Sequence, residues 1–399
     1  MAKVSTNPRK IKELLSLGVS EVLIKKDLQK KLASGRVLRI KHGVDPTSKD
    51  LHLGYAVVYH KLREFQELGH KIVFLIGGFT GRFGDPTDKD KKRELRSKTE
   101  VHSLSKNYLK QLSKILDINQ VEVRDNSEWY DKWSFEQGLR LLSKFTVARM
   151  LERDMFVKRQ QQQKEIYYHE PVYPMLQGWD SVEIKSDATV IGLDQKFNEL
   201  QARPLQEEQG QKPQDIVAVP LLVGTDGKMK MSQSLGNHIG LDDSPADQFG
   251  KIMSIPDEAL LSYFELAARY NEQQLLRVKQ ELKEGKNPKD LKIELAKAIV
   301  TMYHSSTAAN QAAKDFYNLF SQKNISGNLP VLQLEDKQLN LLDFLTNYKF
   351  CVSRGEARRL IQQGGLKINN KKILHYEQKY SFASGDVIQI GKKKFVKIK

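Results

Sequence analysis

Val37-Leu-Arg-Ile40-Lys-His-Gly43-Val44-Asp45-Pro46-Thr47, followed at a distance by Lys71-Ile-Val-Phe-Leu-Ile76, brackets the stretch whose reading decides the fold. Residues 37–40 read as a short strand feeding Gly43-Val44-Asp45-Pro46. Beyond His52-Leu-Gly54, residues 55–69 carry Val57, Val58, Leu62 and Phe65 on one helical face, closed by Gly69. The unbroken apolar run 71–76 is the kind buried on both sides in a parallel sheet. Strand, helix and strand make a βαβ unit whose ligand-binding edge lies at the strand ends.

Outward from this unit the pattern repeats. Residues 1–35 read as helical, with Ile11, Leu14, Leu15 and Val19, then Leu23, Leu28 and Leu32, at helical spacing. Helical segments run from about 99 to 163, split by a short strand at 121–124. Further strands are expected near Thr189-Val-Ile-Gly192 and over 216–223. Strands recurring between helices predict an α/β fold: a doubly wound, Rossmann-like parallel sheet with a helical insertion at about 99–170. Residues 245–322 read as all-helical, 323–337 as a turn-rich linker, and the last 60 residues as a small separate domain. The expected division is 1–227, 228–322 and 338–399.

Charge and cysteine narrow the function classes. The 399 residues carry a net charge of +16. Residues 340–399 hold 13 Lys and Arg against 4 Asp and Glu, so +9 of the total lies in the tail. A basic domain localised in this way reads as a nucleic-acid footprint. The single cysteine, Cys351, excludes an internal disulfide and any Cys-cluster zinc site, and is expected as a small buried apolar residue. The polar N-terminus has no signal-peptide core, and no apolar run approaches a membrane span of roughly 20 residues. A cytoplasmic protein with no membrane partner is expected.

Several segments carry candidate chemistry. Gly77-Gly78-Phe-Thr80-Gly81-Arg82-Phe-Gly84-Asp85-Pro86 follows a buried strand, where glycines let backbone N–H groups approach a ligand; with no Gly-Lys-Ser/Thr ending it is not a P-loop. His52, expected one turn into its helix, and Thr47 in the preceding loop are placed to donate to a phosphate. Lys228, Lys230, Ser232 and Ser234 alternate lysine with small hydroxyl residues, a movable clamp for developing negative charge. The run Lys89, Lys91, Lys92, Arg93 either reaches the same phosphates or is a solvated loop. Tyr173, Gln177 and Asp180 fall at i, i+4 and i+7 on one helical face, a costly set to bury without a ligand. Asp194, with Gln195, is placed to accept from a ribose hydroxyl.

With those residues in view, the chain resembles the bacterial tyrosyl-tRNA synthetases, class I enzymes with a C-terminal S4 RNA-binding domain. The likeness rests on His52-Leu-Gly54-Tyr55 and Lys230-Met-Ser232-Gln233-Ser234. It extends through Asn126-Ser-Glu-Trp129, residues 145–153, His169-Glu170, Gln177-Gly-Trp-Asp-Ser181, Asp194-Gln-Lys-Phe-Asn198 and Ser234-Leu-Gly-Asn237. Val352-Ser-Arg-Gly-Glu-Ala-Arg-Arg-Leu-Ile361 with Gly365-Leu-Lys-Ile-Asn369 is similar to an S4 domain.

The resemblance implies ATP-dependent activation of L-tyrosine and its transfer to tRNA(Tyr). Tyr173, Gln177, Asp180, Asp85 and Gln195 would hold tyrosine, with the phenol and amino contacts of Asp180 and Asp85 interchangeable. Gly43, Asp45, Gly54, Gly192, Asp194, Lys230 and Ser232 would hold ATP. Thr47, His52, Lys230, Lys89 and Arg93 would stabilise the reacting phosphates. Magnesium would accompany ATP, with no metal held by the protein itself. A homodimer joined through the helical insertion is implied, and tRNA contact by Arg354, Arg358, Arg359 and Lys367.

Each signature departs from its family pattern. Tyr55 stands for the second histidine of His-x-Gly-His and Gln233 for the second lysine of Lys-Met-Ser-Lys-Ser; Val44, Leu193 and Trp179 also differ. Lys228 or the 89–93 run is a candidate replacement for the missing lysine, and none is apparent for the histidine. The alternative reading is an impaired paralogue acting as an RNA-binding protein.

Overall fold

Lys71–Ile76 is a strand, β3 below, as its unbroken apolar run requires, and around it a six-stranded sheet is built. The computed structural model describes residues 4–46, 50–86, 95–321, 331–334, 338–369, 371–377, 379–391 and 394–399. The strands are β1 (Glu21–Leu23), β2 (Arg39–Val44), β3 (Lys71–Ile76), β4 (Glu122–Asp125), β5 (Ala188–Gly192) and β6 (Asp215–Val219). Their order is β1-β6-β5-β2-β3-β4, parallel throughout except for β1, which runs antiparallel on β6. From β2 the chain winds outward through β3 and β4; β5 then returns to the other side of β2. The reversal between β2 and β5 is the switch point at which a crevice opens beyond the strand ends.

The helix Leu53–Glu67 buries Val57, Val58, Leu62 and Phe65, the face read from the sequence. Each such fully buried side chain contributes about 1.5–3 kcal/mol. Helices Phe135–Leu142, Val147–Leu151 and Asp154–Gln161 follow β4, and the long helix His169–Ile184 leads into β5. Helices Pro245–Met253, Leu260–Leu266, Glu272–Lys283, Pro288–Tyr303 and Ser306–Ser321 fill the stretch expected to be helical.

Four local readings need correction. Residues 21–23 form edge strand β1 rather than helix, since three residues are too few for periodicity to separate the two states. The strand expected at 37–40 runs over Arg39–Val44 instead. Beta-strand β6 stops at Val219 because Pro220 has no N–H for the ladder; Val223 then bridges to Lys230. His52 is the N-cap of its helix rather than a residue one turn in.

The chain divides into two compact units, Met1–Ala309 and Asn310–Lys399. The second holds a five-stranded sheet of β7 (Val331–Leu332), β9 (Leu366–Ile368), β10 (Lys371–Ile373), β12 (Val387–Ile390) and β13 (Lys394–Ile398), in the order β10-β9-β12-β13-β7. A separate pair joins β8 (Gln338–Asn340) to β11 (Lys379–Ser381). Helices Leu341–Asn347 and Arg354–Gln362 pack on a core that includes Phe344, Leu345, Ala357, Ile361, Leu366 and the buried Cys351. Val331–Leu332, read as linker, pairs in parallel with β13; residues 323–330 and 335–337 of that linker lie outside the described residues.

Candidate active site

The sheet register aligns Val44 with Ile76, Ile76 with Asp125, and Gly192 with Val219, so the strands end along one rim. Asp45, Gly77, Asn126 and Leu193-Asp194-Gln195 follow those ends directly. Glycines are required where carboxylates approach. A Cβ on Gly77 would lie 2.0 Å from Asp45 Oδ1, and one on Gly78 equally close to Asp125 Oδ1. The glycine stretch thus accommodates the protein's own acids.

The helix His169–Ile184 lays its polar face across this rim. Tyr173 donates its hydroxyl to Asp45 Oδ2 at 2.9 Å, and Thr80 donates to Asp45 Oδ1 at 2.8 Å. Asn126 donates to Thr80 Oγ1 at 2.9 Å and to Asp180 Oδ2 at 3.3 Å; the Trp129 indole donates to Asp180 Oδ1 at 3.2 Å. Asp180 is buried beside an aromatic wall of Phe79, Trp129, Tyr130 and Trp133. Burial pushes its pKa up to about 7, opposed by the nearby Lys41 cation and by the hydrogen bonds it accepts. Tyr173 and Asp180 of the polar face thus each have partners within the protein.

A second chain of hydrogen bonds starts at Lys41, in the middle of β2. Its ammonium lies 3.0 Å from Glu199 Oε1, 2.6 Å from Ser181 Oγ and 3.3 Å from the Gln177 carbonyl, with Lys41 and Glu199 both inaccessible to solvent. Gln177 donates to Glu199 Oε1 at 2.8 Å; Asn198 donates to Gln177 Oε1 at 2.8 Å and to Gln195 Oε1 at 3.1 Å. Gln195 donates to Asp85 Oδ2 at 2.8 Å, and Arg153 lies 3.7 Å from the other Asp85 oxygen. Sequence reasoning singled out Gln177, Gln195 and Asp85 but missed Lys41 and Glu199. A lysine inside a parallel-sheet strand was the available signal, since such a charge is almost never fully buried unpaired.

At the other end of the crevice, His52 Nδ1 accepts from the Gly54 N–H at 3.1 Å. A Cβ on Gly54 would sit 2.9 Å from that ring, so the glycine makes room for the cap. Burial, with His238 and Lys230 nearby, lowers the His52 pKa to about 3, and the imidazole is neutral with its proton on Nε2. Lys230 pairs with Asp194 Oδ2 at 2.6 Å. Gln233 donates to the Asp50 carbonyl at 2.7 Å, and Ser232 N–H donates to Asn237 Oδ1 at 2.8 Å, which holds the signature loop to the segment before His52. Gly43 and Gly192 lie at the open ends of β2 and β5. Lys228 is exposed at the hairpin turn. Thr47, Lys89, Lys91, Lys92 and Arg93 lie outside the described residues. Among the described residues, no group of acids, histidines and cysteine is placed to hold a metal ion.

In the C-terminal unit, helix Arg354–Gln362 starts at the Ser353 cap, as expected, and Arg358 and Arg359 are exposed. Arg354 is paired with Asp343, and the Arg358 guanidinium lies over the Tyr376 ring at 5.3 Å. Lys367 faces Lys372 across the β9–β10 hairpin.

Removing one member of the Lys41–Glu199 pair strands a buried charge, which costs about 3–5 kcal/mol. Lys41→Met should therefore lower the denaturant midpoint sharply, and adding Glu199→Gln should restore most of it. A double variant as unstable as the single one would show that the pair carries no such linkage.

Residues 33–321 match the family of tRNA synthetases class I (W and Y), and residues 339–388 match the S4 domain. The chain is 42% identical to a tyrosine–tRNA ligase of Moorella thermoacetica over 390 residues, covering 96% of this chain and 94% of that one. It is 44% identical to a tyrosine–tRNA ligase of Dehalococcoides mccartyi over 396 residues, 99% of this chain and 100% of the relative. Among solved structures, the tyrosyl-tRNA synthetase of Archaeoglobus fulgidus complexed with L-tyrosine shares the fold at a TM-score of 0.64 and 21% identity, over 76% of this chain and 99% of that one.

Proposed function

From a chain that belongs to the class I tRNA synthetases (W and Y) and carries an S4 domain, we propose a tyrosine–tRNA ligase that activates L-tyrosine with ATP and transfers it to tRNA(Tyr). The observation that carries this choice is Asp180, a buried carboxylate at the aromatic end of the crevice. Its position suits a phenol hydroxyl, which donates to Asp180 beside the Asn126 and Trp129 donors. Asp85, with Gln195 and Arg153 around it, suits the amino-acid head group. On this reading Asp180 takes the phenol and Asp85 the amino group, of the two arrangements open to the sequence.

The reaction needs no protein nucleophile. A tyrosine carboxylate oxygen attacks the α-phosphorus of ATP, the bond to the β-phosphate oxygen breaks, and pyrophosphate leaves. Position and charge supply the acceleration. Asp194 accepts from the ribose, and Lys230, paired with Asp194 at 2.6 Å, turns to the phosphates. His52 offers its Nε2–H as a neutral donor at a helix N-terminus. Magnesium enters with ATP, held mainly by phosphate oxygens. Thr47, Lys89 and Arg93 are assigned to the phosphates on the family pattern alone. The high-coverage relatives are named as ligases, and no observation favours an impaired paralogue. Among the described residues no helix is long and apolar enough to cross a membrane, and we place the enzyme in the cytoplasm, where tRNA is charged.

Tyrosine-dependent exchange of pyrophosphate into ATP tests the assignment. Exchange driven by tryptophan but not tyrosine would move the chain to the other branch of its family. A site built around a phenol rejects phenylalanine because its polar groups go unpaired, and tyrosyl-tRNA synthetases are the known instance of that rule. Asp180→Asn should accordingly reduce kcat/KM for tyrosine far more than for phenylalanine; equal losses would take Asp180 out of the phenol site.

A homodimer through the helical insertion is supported by Phe135 and Val147, which are 83% and 73% exposed. Sedimentation should give about twice the 45.8 kDa chain mass, and Phe135→Glu with Val147→Glu should return it to one. A parent chain that sediments as a monomer at micromolar concentration contradicts the dimer.

The basic tail is assigned to tRNA, read by backbone shape through Arg358, Arg359 and Lys367, with Arg354 beginning as a partner of Asp343. Deleting residues 338–399 should leave pyrophosphate exchange nearly intact and abolish charging, while binding by the whole chain weakens steeply with salt. Undiminished charging by the truncated chain would remove the tail from this role.

A further inference from the structure

Tyr55 leaves the helix Leu53–Glu67 with one imidazole, His52, at the end assigned to phosphate. A second imidazole reaches that place from far along the chain. Leu53 N–H donates to the Ile239 carbonyl at 2.9 Å and Leu241 N–H to the Leu51 carbonyl at 3.0 Å, while Gly240 bridges antiparallel to His52. These bonds fasten the segment after the signature loop along the start of the helix. The same register brings the His238 ring to 6.2 Å from the His52 ring, centroid to centroid.

The two aromatic neighbours of His52 differ in what they can offer. The Tyr55 ring packs against His52 at 4.6 Å and stacks on Tyr59 at 6.3 Å. Among the described residues, the buried Nδ1 of His238 has no hydrogen-bond partner, although the residue as a whole is only partly buried. Other histidine nitrogens among the described residues are also buried and unpaired, so what sets His238 apart is its place beside His52. Lys251, Asp243 and Asp50 are the charged groups that face His238, and Lys251 is itself tied to Asp243 at 2.7 Å. Burial and Lys251 hold His238 toward its neutral form, in which one ring nitrogen donates.

We infer that His238 supplies the second imidazole of the phosphate site, standing in for the histidine that position 55 lacks. The inference rests on reading this end of the crevice as the ATP phosphate site. His238 lies on the same loop segment as Lys230 and Ser232, tied to them through Asn237, which accepts from Ser232 and donates to the Lys230 carbonyl. The loop therefore carries a cation and an imidazole donor together, whereas His-x-Gly-His keeps both imidazoles on the helix. A neutral pair also avoids the mutual repulsion of two imidazolium ions at this separation.

A double-mutant cycle in pyrophosphate exchange tests this. His238→Ala should lower kcat by about 10²-fold, the usual loss for one transition-state donor, with tyrosine affinity unchanged. Tyr55→His should recover most of that loss in the His238→Ala background and change the parent by at most a few-fold, because one imidazole replaces the other. Equal factors from Tyr55→His in both backgrounds, or full exchange by His238→Ala, would overturn the inference. Thermal melting identifies a variant that has merely lost its fold, and His238→Phe, which keeps a ring and removes its donors, then takes its place. A parent chain without any exchange would sink the ligase reading alone. Calorimetric titration with Mg-ATP then decides the imidazole separately: about tenfold weaker binding by His238→Ala upholds it, and unchanged binding overturns it.

Discussion

A lysine in the middle of a parallel sheet has to be paired, and the site grows from the way Lys41 is paired. Both faces of β2 are covered, so its ammonium cannot reach water. It turns instead to Glu199, Ser181 and the Gln177 carbonyl. That one charge draws together β2, the helix His169–Ile184 and the helix Lys196–Leu200, three elements with no local reason to meet. Gln177, Asn198, Gln195 and Asp85 then follow in one chain of hydrogen bonds, each fixed by the one before. Such a network pre-orients groups that would otherwise lose rotamer freedom when a substrate binds.

The crevice separates two electrostatic environments. Toward the aromatic wall, the buried Asp180 and the partly buried Asp45 accept from Asn126 and Trp129 and from Tyr173 and Thr80. Lys41 is the nearby cation that opposes the desolvation of Asp180. Toward the signature loop stand a partly exposed Lys230 on Asp194 and a buried, neutral His52 capping a helix. The first environment favours selection of a small polar group by unpaired-donor penalties. The second favours charge that can be moved onto a polyanion. Gln233 fits this division. It gives up a cation and holds the loop to the Asp50 carbonyl instead, so the substitution changes the loop's attachment as well as its charge.

Much of the architecture was legible in the sequence because it is written in short-range patterns. Val73 to Ile76 are buried, as their continuous apolar run demands, and Val57, Val58, Leu62 and Phe65 share one buried helical face. Tyr173, Gln177 and Asp180 share the polar face read from their spacing. The basic tail with its Ser353 cap and β9–β10 hairpin follows from composition, a capping residue and turn glycines. Short elements escaped, as at β1, because a three-residue strand is defined by its partner β6 and not by its own period.

What the sequence determined by itself, then, was the kind of each long element, the face it buries and the residues able to do chemistry, since these depend on neighbours a few positions apart. Which of those residues meet was decided by the tertiary structure. Lys41 finds Glu199, Asp45 is shared by Tyr173 and Thr80, and His238 arrives beside His52 only because the sheet reverses at β2 and the signature loop returns to the start of a helix. Contacts between residues more than a hundred positions apart leave no trace in periodicity. They follow from the requirement that buried charges and backbone groups all find partners at once, which only the closed fold can satisfy.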